Sequence, residues 1–184
     1  MLILASQSPR RRSLLARITE EFIVRPSGCD EHTDERDPAK RVSELARRKA
    51  RAVEANADDL VLASDTVVAL DGEILEKPAD AEDARRMLRL LSGRTHTVFT
   101  GVCLRRGETE DVFFCRTEVT FWPLEGALIE DYIASGEPMD KAGAYGIQGR
   151  GALLVRSIEG DFFNVMGLPI GEVYRRLQRL HVGR

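Results

Sequence analysis

The chain has 184 residues, of which 43% are hydrophobic and 31% charged, and its formal net charge is −3 with a pI near 5.7. This length and composition allow a real hydrophobic core, so the sequence predicts one domain over residues 1–184 and excludes a disordered chain. The acidic pI argues against a nucleic-acid-coating protein, whereas small anionic ligands stay candidates wherever cations cluster locally.

Cysteine usage and apolar runs predict the cellular compartment. The three cysteines, Cys29, Cys103 and Cys115, are far apart and form no CxxC pair, so neither a disulfide framework nor a zinc knuckle is indicated. The apolar run Met1–Ala5 is too short for a signal peptide, and no stretch approaches a membrane span. We therefore expect a cytoplasmic protein with no membrane partner.

The first residues have the pattern of a strand that leads into a helix. Leu2–Leu4 is a short apolar run, Ser8 is a favourable N-cap and Pro9 suits a first helical position, which predicts a helix to about Ile18. Free N–H groups and the helix dipole favour an anion there, and Arg10–Arg12 add charged donors. The segment predicts a phosphate site, against the alternative of an ordinary cap with solvated arginines.

Strand and helix patterns mix along the rest of the chain. Asp71-Gly72 is a strong hairpin signal, and the Gly-rich stretch Asp140–Gly151 predicts an ordered loop. The predicted strands are Phe22–Arg25, Leu60–Ala63, Thr66–Leu70, Glu73–Leu75, Thr95–Arg105, Asp111–Phe121 and Leu153–Ile158. The predicted helices run from Asp37 to about Asn56, from Asp80 to Leu91, from Leu124 to Ser135, and onward from Pro169. This mixture predicts an α/β fold with a mixed sheet.

Asp65 is the strongest candidate for a catalytic acid residue. It interrupts two apolar strand segments, where a buried carboxylate is costly unless it is paired or binds a metal. The alternative is a turn aspartate that accepts backbone N–H groups. Glu31, in an acidic loop, could supply a second oxygen ligand for Mg²⁺, although a solvated loop explains any single residue there equally well.

Two lysines follow or begin turn segments and are candidate phosphate ligands. Lys77 precedes a proline that restricts its backbone, and Lys141 opens the Gly-rich loop beside Asp140. The alternatives are a lysine in solvent and a simple Lys141–Asp140 pair. No GxSxG elbow is present, and the histidines, His32, His96 and His181, lack the spacing of a metal site or of a nucleophile with its base.

Six segments, taken together and in this order, resemble the Maf family. They are Ala5–Arg11, Ser64–Val68, Glu76–Pro78, Leu91–His96, Asp140–Gly149 and Val165–Pro169, and they span nearly the whole chain. The family consists of cytoplasmic nucleoside triphosphate pyrophosphatases that cut between the α- and β-phosphates. The resemblance implies an α/β fold in which a mixed twisted sheet with flanking helices forms two lobes around a deep cleft, similar to the inosine triphosphate pyrophosphatases.

The resemblance also implies roles for individual residues. Asp65 matches the family's proton acceptor, and the stretch from Lys141 to Gln148 resembles the subgroup that acts on dTTP and UTP. The matched specificity positions are Arg10, Thr66 and Gln148, and the further site members are Glu31, Lys77 and Lys141. Arg11 and Arg12 are interpreted as bystanders. Ser64 departs from the small apolar residue expected there, and its hydroxyl could shift the hydrogen bonding of Asp65.

The mechanism expected from these residues is metal-assisted attack of water on the α-phosphorus. Asp65 and Glu31 would hold Mg²⁺ or Mn²⁺, and Asp65 would accept the proton. Ser8 at the helix start, Arg10 and the two lysines would neutralise the triphosphate, while the Gln148 amide would read the base edge. The alternative function is a non-catalytic nucleotide-binding regulator of cell division. The resemblance leaves a homodimer open.

Overall fold

Over the described residues, 1–181, the computed structural model has a seven-stranded mixed sheet with helices on both faces. The strands are β1 (Leu2–Leu4), β2 (Phe22–Val24), β3 (Leu60–Leu70), β4 (Glu73–Leu75), β5 (Thr95–Arg106), β6 (Thr109–Phe121) and β7 (Val155–Glu159). The helices are α1 (Pro9–Leu15), α2 (Pro38–Ala52), α3 (Ala81–Leu91), α4 (Gly126–Ala134), α5 (Phe162–Met166) and α6 (Ile170–His181). Short 3₁₀ turns at Glu137–Asp140, Ala142–Ala144 and Gly149–Leu154 lie between α4 and β7.

The sheet is split beside the middle of β3. Its order is β2-β1-β3-β5-β6-β7, with parallel pairs on both sides of β1 and antiparallel pairs elsewhere, and β4 lies beside β3. The first part of β3 pairs with β1 over Leu60–Leu62, and its last part pairs with β4 over Val68–Leu70. Between these two segments, β3 pairs only with β5. Among the described strands, the middle of β3 therefore has one unpaired edge at this split, although its residues there are almost all buried.

The first lobe is a three-layer arrangement around β1 and β3. Side chains at alternate strand positions point to opposite faces of a sheet. Val61 and Ala63 accordingly pack with Ala46 of α2 on one face. Leu62 packs with Leu14 of α1, and with residues of α6, on the other. Burial of both faces explains why this part of β3 is apolar throughout.

The second lobe forms on the far part of the same strand. Val68 and Leu70 join one apolar cluster with Leu88 of α3 and Ile129 of α4. Because β3 runs from one lobe into the other, its middle residues lie between the two cores. The mixed α/β fold with two lobes around a cleft, expected from the sequence, is confirmed.

The predicted break in β3 is wrong. β3 is continuous because Ser64 and Asp65 pair in register with Val102 and Gly101 of β5. A polar side chain interrupts an apolar pattern in the sequence, but it does not interrupt a ladder of backbone hydrogen bonds.

Several helix ends also differ from the predicted ones. α1 ends at Leu15, not Ile18, and α2 ends at Ala52, not Asn56. The sequence does not predict α5, Phe162–Met166, because five residues are too few to show a helical period. None of the helices in the described part of the chain has both the length and the apolar character needed to cross a bilayer.

Candidate active site

A cleft of about 780 Å³ opens at the split in the sheet. The first lobe contributes the segment Ser6–Arg11 after β1 and the loop Pro26–His32. The second lobe contributes Lys77 and parts of the segment Asp140–Gln148, and the middle of β3 lies between them. Every site residue expected from the sequence lines this cleft, namely Ser8, Arg10, Glu31, Asp65, Thr66, Lys77, Lys141 and Gln148.

Asp65 and Glu31 meet at a single buried cation, Lys49 of α2. The Lys49 ammonium donates to Asp65 Oδ1 and to Glu31 Oε2, each at 2.8 Å. The Asp65 and Lys49 side chains are about nine-tenths buried, whereas the Glu31 side chain is half exposed. Partial burial opposes ionisation of Glu31, but the Lys49 ammonium, together with Lys77 and Arg11, outweighs it and lowers the pKa of that carboxyl. Asp65 is thus a paired buried carboxylate, not a turn aspartate.

Gly101 brings α2 close enough for the Lys49–Asp65 contact. Gly101 is the β5 partner of Asp65 in the antiparallel ladder. A Cβ at this position would lie 2.3 Å from the backbone oxygen of Val42 in α2. Only a residue without a side chain permits such an approach, so the helix lies directly over this rung of the sheet.

Thr66 faces the opposite side of β3 and contacts Arg11. The Arg11 guanidinium donates to Thr66 Oγ1 at 3.1 Å and to the Gly167 carbonyl at 3.0 Å. Burial lowers the pKa of the Arg11 guanidinium, while the nearby Asp65 carboxylate acts in the other direction. The interpretation of Arg11 as a bystander is therefore wrong, because its guanidinium is held inside the cleft. Arg12 is exposed, as expected.

Arg10 reaches across the cleft to the second lobe. Its guanidinium donates to Asp140 Oδ2 at 3.1 Å, and the Lys141 ammonium donates to the other oxygen of Asp140 at 2.7 Å. Burial opposes ionisation of Asp140, yet Lys141 and Arg10 together lower the pKa of this carboxyl. Both cations are thus paired with one exposed carboxylate that an incoming polyphosphate could replace.

The remaining expected residues differ in how they are held. Ser8 caps α1, with its hydroxyl accepting from Arg11 N at 3.4 Å. Among the described residues, the side chains of Lys77 and Gln148 have no hydrogen-bond or ion-pair partner, and both are exposed at the cleft. Ser64 donates to the Gly167 carbonyl at 3.2 Å, so its hydroxyl bonds the backbone and not Asp65.

Lys49 and Arg11 are the site residues that sequence reasoning missed. The helical periodicity assigns the position of Lys49 to the hydrophobic core. A lysine on the apolar face of a helix is unusual, and this was the feature of the sequence that could have indicated its role. Arg11 could not be separated from its two neighbours by sequence, because which arginine of a run points inward depends on the direction of α1.

The oxygen donors present fit a divalent cation. Within residues 1–181, no three or more His, Cys, Asp or Glu side chains are grouped as a ready-made metal site. Mg²⁺ commonly takes one or two carboxylates and completes its shell with water and substrate phosphates. Asp65 and Glu31 each give one carboxylate oxygen to the Lys49 ammonium and keep the other oxygen as a donor of that type.

The arrangement defines a class of protein: a two-lobed α/β fold with a cleft, lined by several arginines and lysines, at a split in its sheet. The structure of a HAM1 protein from Coxiella burnetii shares this fold, with a TM-score of 0.54, 13% sequence identity and coverage of 97% of this chain and 98% of that one. At this identity the likeness concerns the fold alone.

The family follows from sequence comparison. The profile described as Maf-like protein matches residues 1–180, and the chain belongs to this family. Curated relatives include a dTTP/UTP pyrophosphatase of Moorella thermoacetica, 56% identical over 94% of this chain and 91% of that protein. Proteins of the same name from Koribacter versatilis and Thermococcus onnurineus are 52% and 49% identical, covering 98% and 100% of this chain and 95% and 99% of theirs. The resemblance inferred from the six segments is confirmed.

Proposed function

We propose that this protein is a nucleoside triphosphate pyrophosphatase that hydrolyses dTTP and UTP to the monophosphate and pyrophosphate. The observation that carries the proposal is a buried carboxylate, Asp65, paired with Lys49 in a cleft that also holds Arg10, Arg11 and Lys77. The curated relatives described above, named dTTP/UTP pyrophosphatase, support the choice of reaction and substrates.

The residues of the cleft match the demands of phosphoanhydride hydrolysis. Water attacks the α-phosphorus in line with the departing pyrophosphate, and negative charge accumulates on the leaving group. Arg10, Lys77 and Lys141 stabilise that charge, because fixed cations in a cleft interact more strongly with it than water does. Among the described residues the Lys77 ammonium has no partner to leave, whereas Arg10 must first leave Asp140 and Lys141 must leave both Asp140 and the Glu137 carbonyl.

Asp65 orients the attacking water and accepts its proton. Lys49 occupies Oδ1 of Asp65, and Oδ2 has no hydrogen-bond partner among the described residues. That oxygen is therefore the one available to a water molecule. Mg²⁺ or Mn²⁺, held by Asp65 and Glu31, would supply Lewis acidity that lowers the pKa of water and neutralises phosphate charge.

Gln148 selects the pyrimidine base. Its amide offers both a donor and an acceptor, which complement the acceptor and donor on the edge of uracil or thymine. Thr66, fixed by Arg11 and by the Thr100 hydroxyl at 2.9 Å, provides a second polar group in the same cleft.

The proposal also includes a cytoplasmic location, consistent with three free cysteines, and leaves homodimer formation to be measured by light scattering.

The test is an Asp65→Asn variant assayed for pyrophosphate release from UTP and dTTP with Mg²⁺. Loss of a general base lowers kcat by about 100-fold or more. Asp59→Asn is the matched control, because Asp59 is equally buried at 6% exposure against 7%, but it pairs with the N-terminus outside the cleft. We expect this control to lose stability and to keep its kcat.

Two outcomes would contradict the proposal. A folded Asp65→Asn protein that retains wild-type turnover would remove Asp65 from the chemistry. A wild-type protein that binds UTP without releasing pyrophosphate would instead favour the non-catalytic nucleotide-binding regulator.

A further inference from the structure

The segment that carries Gln148 is held in place by one carboxylate, Glu137. Glu137 Oε2 accepts from the backbone N–H of Arg150 at 3.0 Å, and Oε1 accepts from that of Gly151 at 3.1 Å. The Tyr132 hydroxyl donates to Oε1 of the same carboxylate at 3.0 Å and accepts from the Gly146 N–H, also at 3.0 Å. The carboxylate and the phenol together bind backbone on both sides of Gln148.

The surrounding backbone leaves little room for another arrangement. A Cβ on Gly151 would lie 2.0 Å from the Gly146 carbonyl oxygen, so the two ends of the segment touch. Gly149 has a φ of +64°, and a Cβ there would lie 2.7 Å from Glu137 Oε2. The segment is therefore wrapped tightly around the Glu137 carboxylate, with Tyr132 almost fully buried behind it.

Charge favours the same arrangement. Burial opposes ionisation of Glu137, but the N–H groups of Gly151 and Arg150 and the Tyr132 hydroxyl more than compensate and lower the pKa of the carboxyl. Hydrogen bonds to an ionised acceptor are roughly twice as strong as those between neutral groups. An ionised Glu137 thus anchors a segment that has few other backbone partners.

We propose that Glu137 is the positioning residue for base selection in this protein. It does not line the cleft and touches no substrate; it fixes the backbone from which Gln148 reaches the base. This inference rests on the proposed function, because it assumes that Gln148 reads a pyrimidine. It adds that selectivity depends on a carboxylate outside the binding site.

The experiment replaces Glu137 by Gln and measures kcat and KM for UTP and for GTP. Glutamine keeps the size of the side chain. Its NH₂ group, however, would face the backbone N–H of Arg150 or Gly151, so two donors would meet where the carboxylate oxygen of the wild-type protein accepts. We expect KM for UTP to rise and the UTP-to-GTP ratio of kcat/KM to fall about tenfold, with kcat for UTP changed much less. Glu130→Gln is the matched control, since it removes the same charge from α4 and breaks only a surface pair with Arg85.

Two more variants separate positioning from a purely structural role. Gln148→Ala lowers the ratio by itself, and adding Glu137→Gln to it causes no further loss of selectivity, because the positioned side chain is already gone. Tyr132→Phe removes only the hydroxyl between Glu137 and the Gly146 N–H, and we expect a smaller loss in the same direction. It also serves as the test if Glu137→Gln fails to fold.

Failure of this inference can be told from failure of the proposed function. A lower melting temperature with an unchanged UTP-to-GTP ratio in Glu137→Gln, or in Tyr132→Phe where the former does not fold, overturns the inference. So does a uniform drop in kcat for both nucleotides. Absence of pyrophosphate release by the wild-type protein overturns the proposed function instead, and an unchanged ratio in Gln148→Ala overturns the assumed role of Gln148.

Discussion

Lys49 is the side chain on which both acidic residues of the candidate site depend. Its ammonium is the common partner of Asp65 and Glu31, and it lies on the apolar side of α2. A buried ion pair is a weak source of net stability, but removal of one partner leaves the other charge uncompensated. Lys49 therefore acts mainly to hold two carboxylates at one place.

Replacing Lys49 by Met tests this role. We expect loss of about 2 kcal/mol in the free energy of unfolding, less than for fully enclosed pairs because the cleft admits water. We also expect kcat/KM for UTP to fall by about 100-fold, since Asp65 and Glu31 repel each other once the cation is gone. Urea unfolding and pyrophosphate release measure the two effects.

Lys40→Met is the control for Lys49. Lys40 lies on the same helix, is exposed, and has no ion-pair partner among the described residues, so neither stability nor activity should change appreciably. Wild-type kcat/KM in Lys49→Met would show that Asp65 is held by other contacts.

The packing of α2 on β3 and β5 decides whether those residues meet at all. The helix approaches the sheet at Gly101, where its Val42 carbonyl occupies the space of a side chain. A methyl group at Gly101 must push α2 outward, and Lys49 two turns along the same helix moves with it. Packing of one helix thus sets the distance between two groups of the site.

Gly101→Ala is predicted to disturb both stability and activity. Overpacking of this kind costs about 2 kcal/mol or more, and a shift of α2 lengthens the Lys49–Asp65 contact. Gly126→Ala is the comparison variant, because a methyl group there would meet no heavy atom within 4 Å and the φ of Gly126 is not positive. Calorimetry and UTP hydrolysis should show a change in the first variant and almost none in the second; equal melting temperatures would contradict the packing argument.

Individual elements also show which sequence signals are trustworthy. The dipeptide Asp71-Gly72 predicts a hairpin, and this prediction is confirmed because both residues have positive φ, 50° and 83°. The break at Ser64-Asp65 is predicted from hydropathy alone, and it is wrong. Turn residues act through their own backbone preferences, whereas a polar side chain in a strand depends on a partner such as Lys49 that is distant in sequence.

Acid stability of the whole molecule is linked to His96, a buried residue of β5 that contacts Tyr145 of the Gly-rich loop. His96 Nε2 lies 2.8 Å from the Tyr145 hydroxyl, and the imidazole packs edge-on against Phe121. The side chain is 2% exposed, and burial lowers the pKa of His96 to about 4, from 6.5 for a solvated histidine. Between pH 4 and pH 6.5 the folded protein therefore holds a neutral imidazole, whereas His96 of the unfolded chain is protonated in that range.

The sign of the pH effect follows from this difference. Between pH 6.5 and pH 4 the unfolded state binds the extra proton, so stability falls as pH falls, by up to about 1.4 kcal/mol per pH unit from this group. His96→Gln keeps a hydrogen-bonding amide beside Tyr145 and removes the titration. Unfolding free energies measured from pH 7 to pH 4 should decline less steeply in the variant, and an identical decline would exclude His96 as the cause.

Local sequence patterns were enough to predict the fold class, the family and several residues that line the cleft. Ser8, Asp65, Lys77 and Gln148 sit in short motifs whose backbone conformation and chemistry are encoded by adjacent residues. Segments of that kind can be interpreted without knowledge of the rest of the chain, because caps, turns and strand patterns act over a few residues.

Tertiary structure alone decided which charges meet. Lys49 pairs with Asp65, Arg11 turns inward beside Thr66, and Glu137 binds backbone on the far side of Gln148. Each contact joins residues on separate elements, and the direction of a side chain depends on how those elements pack. The sequence predicted a phosphate-binding cleft, whereas only the packed structure identified the residues that hold its groups in place.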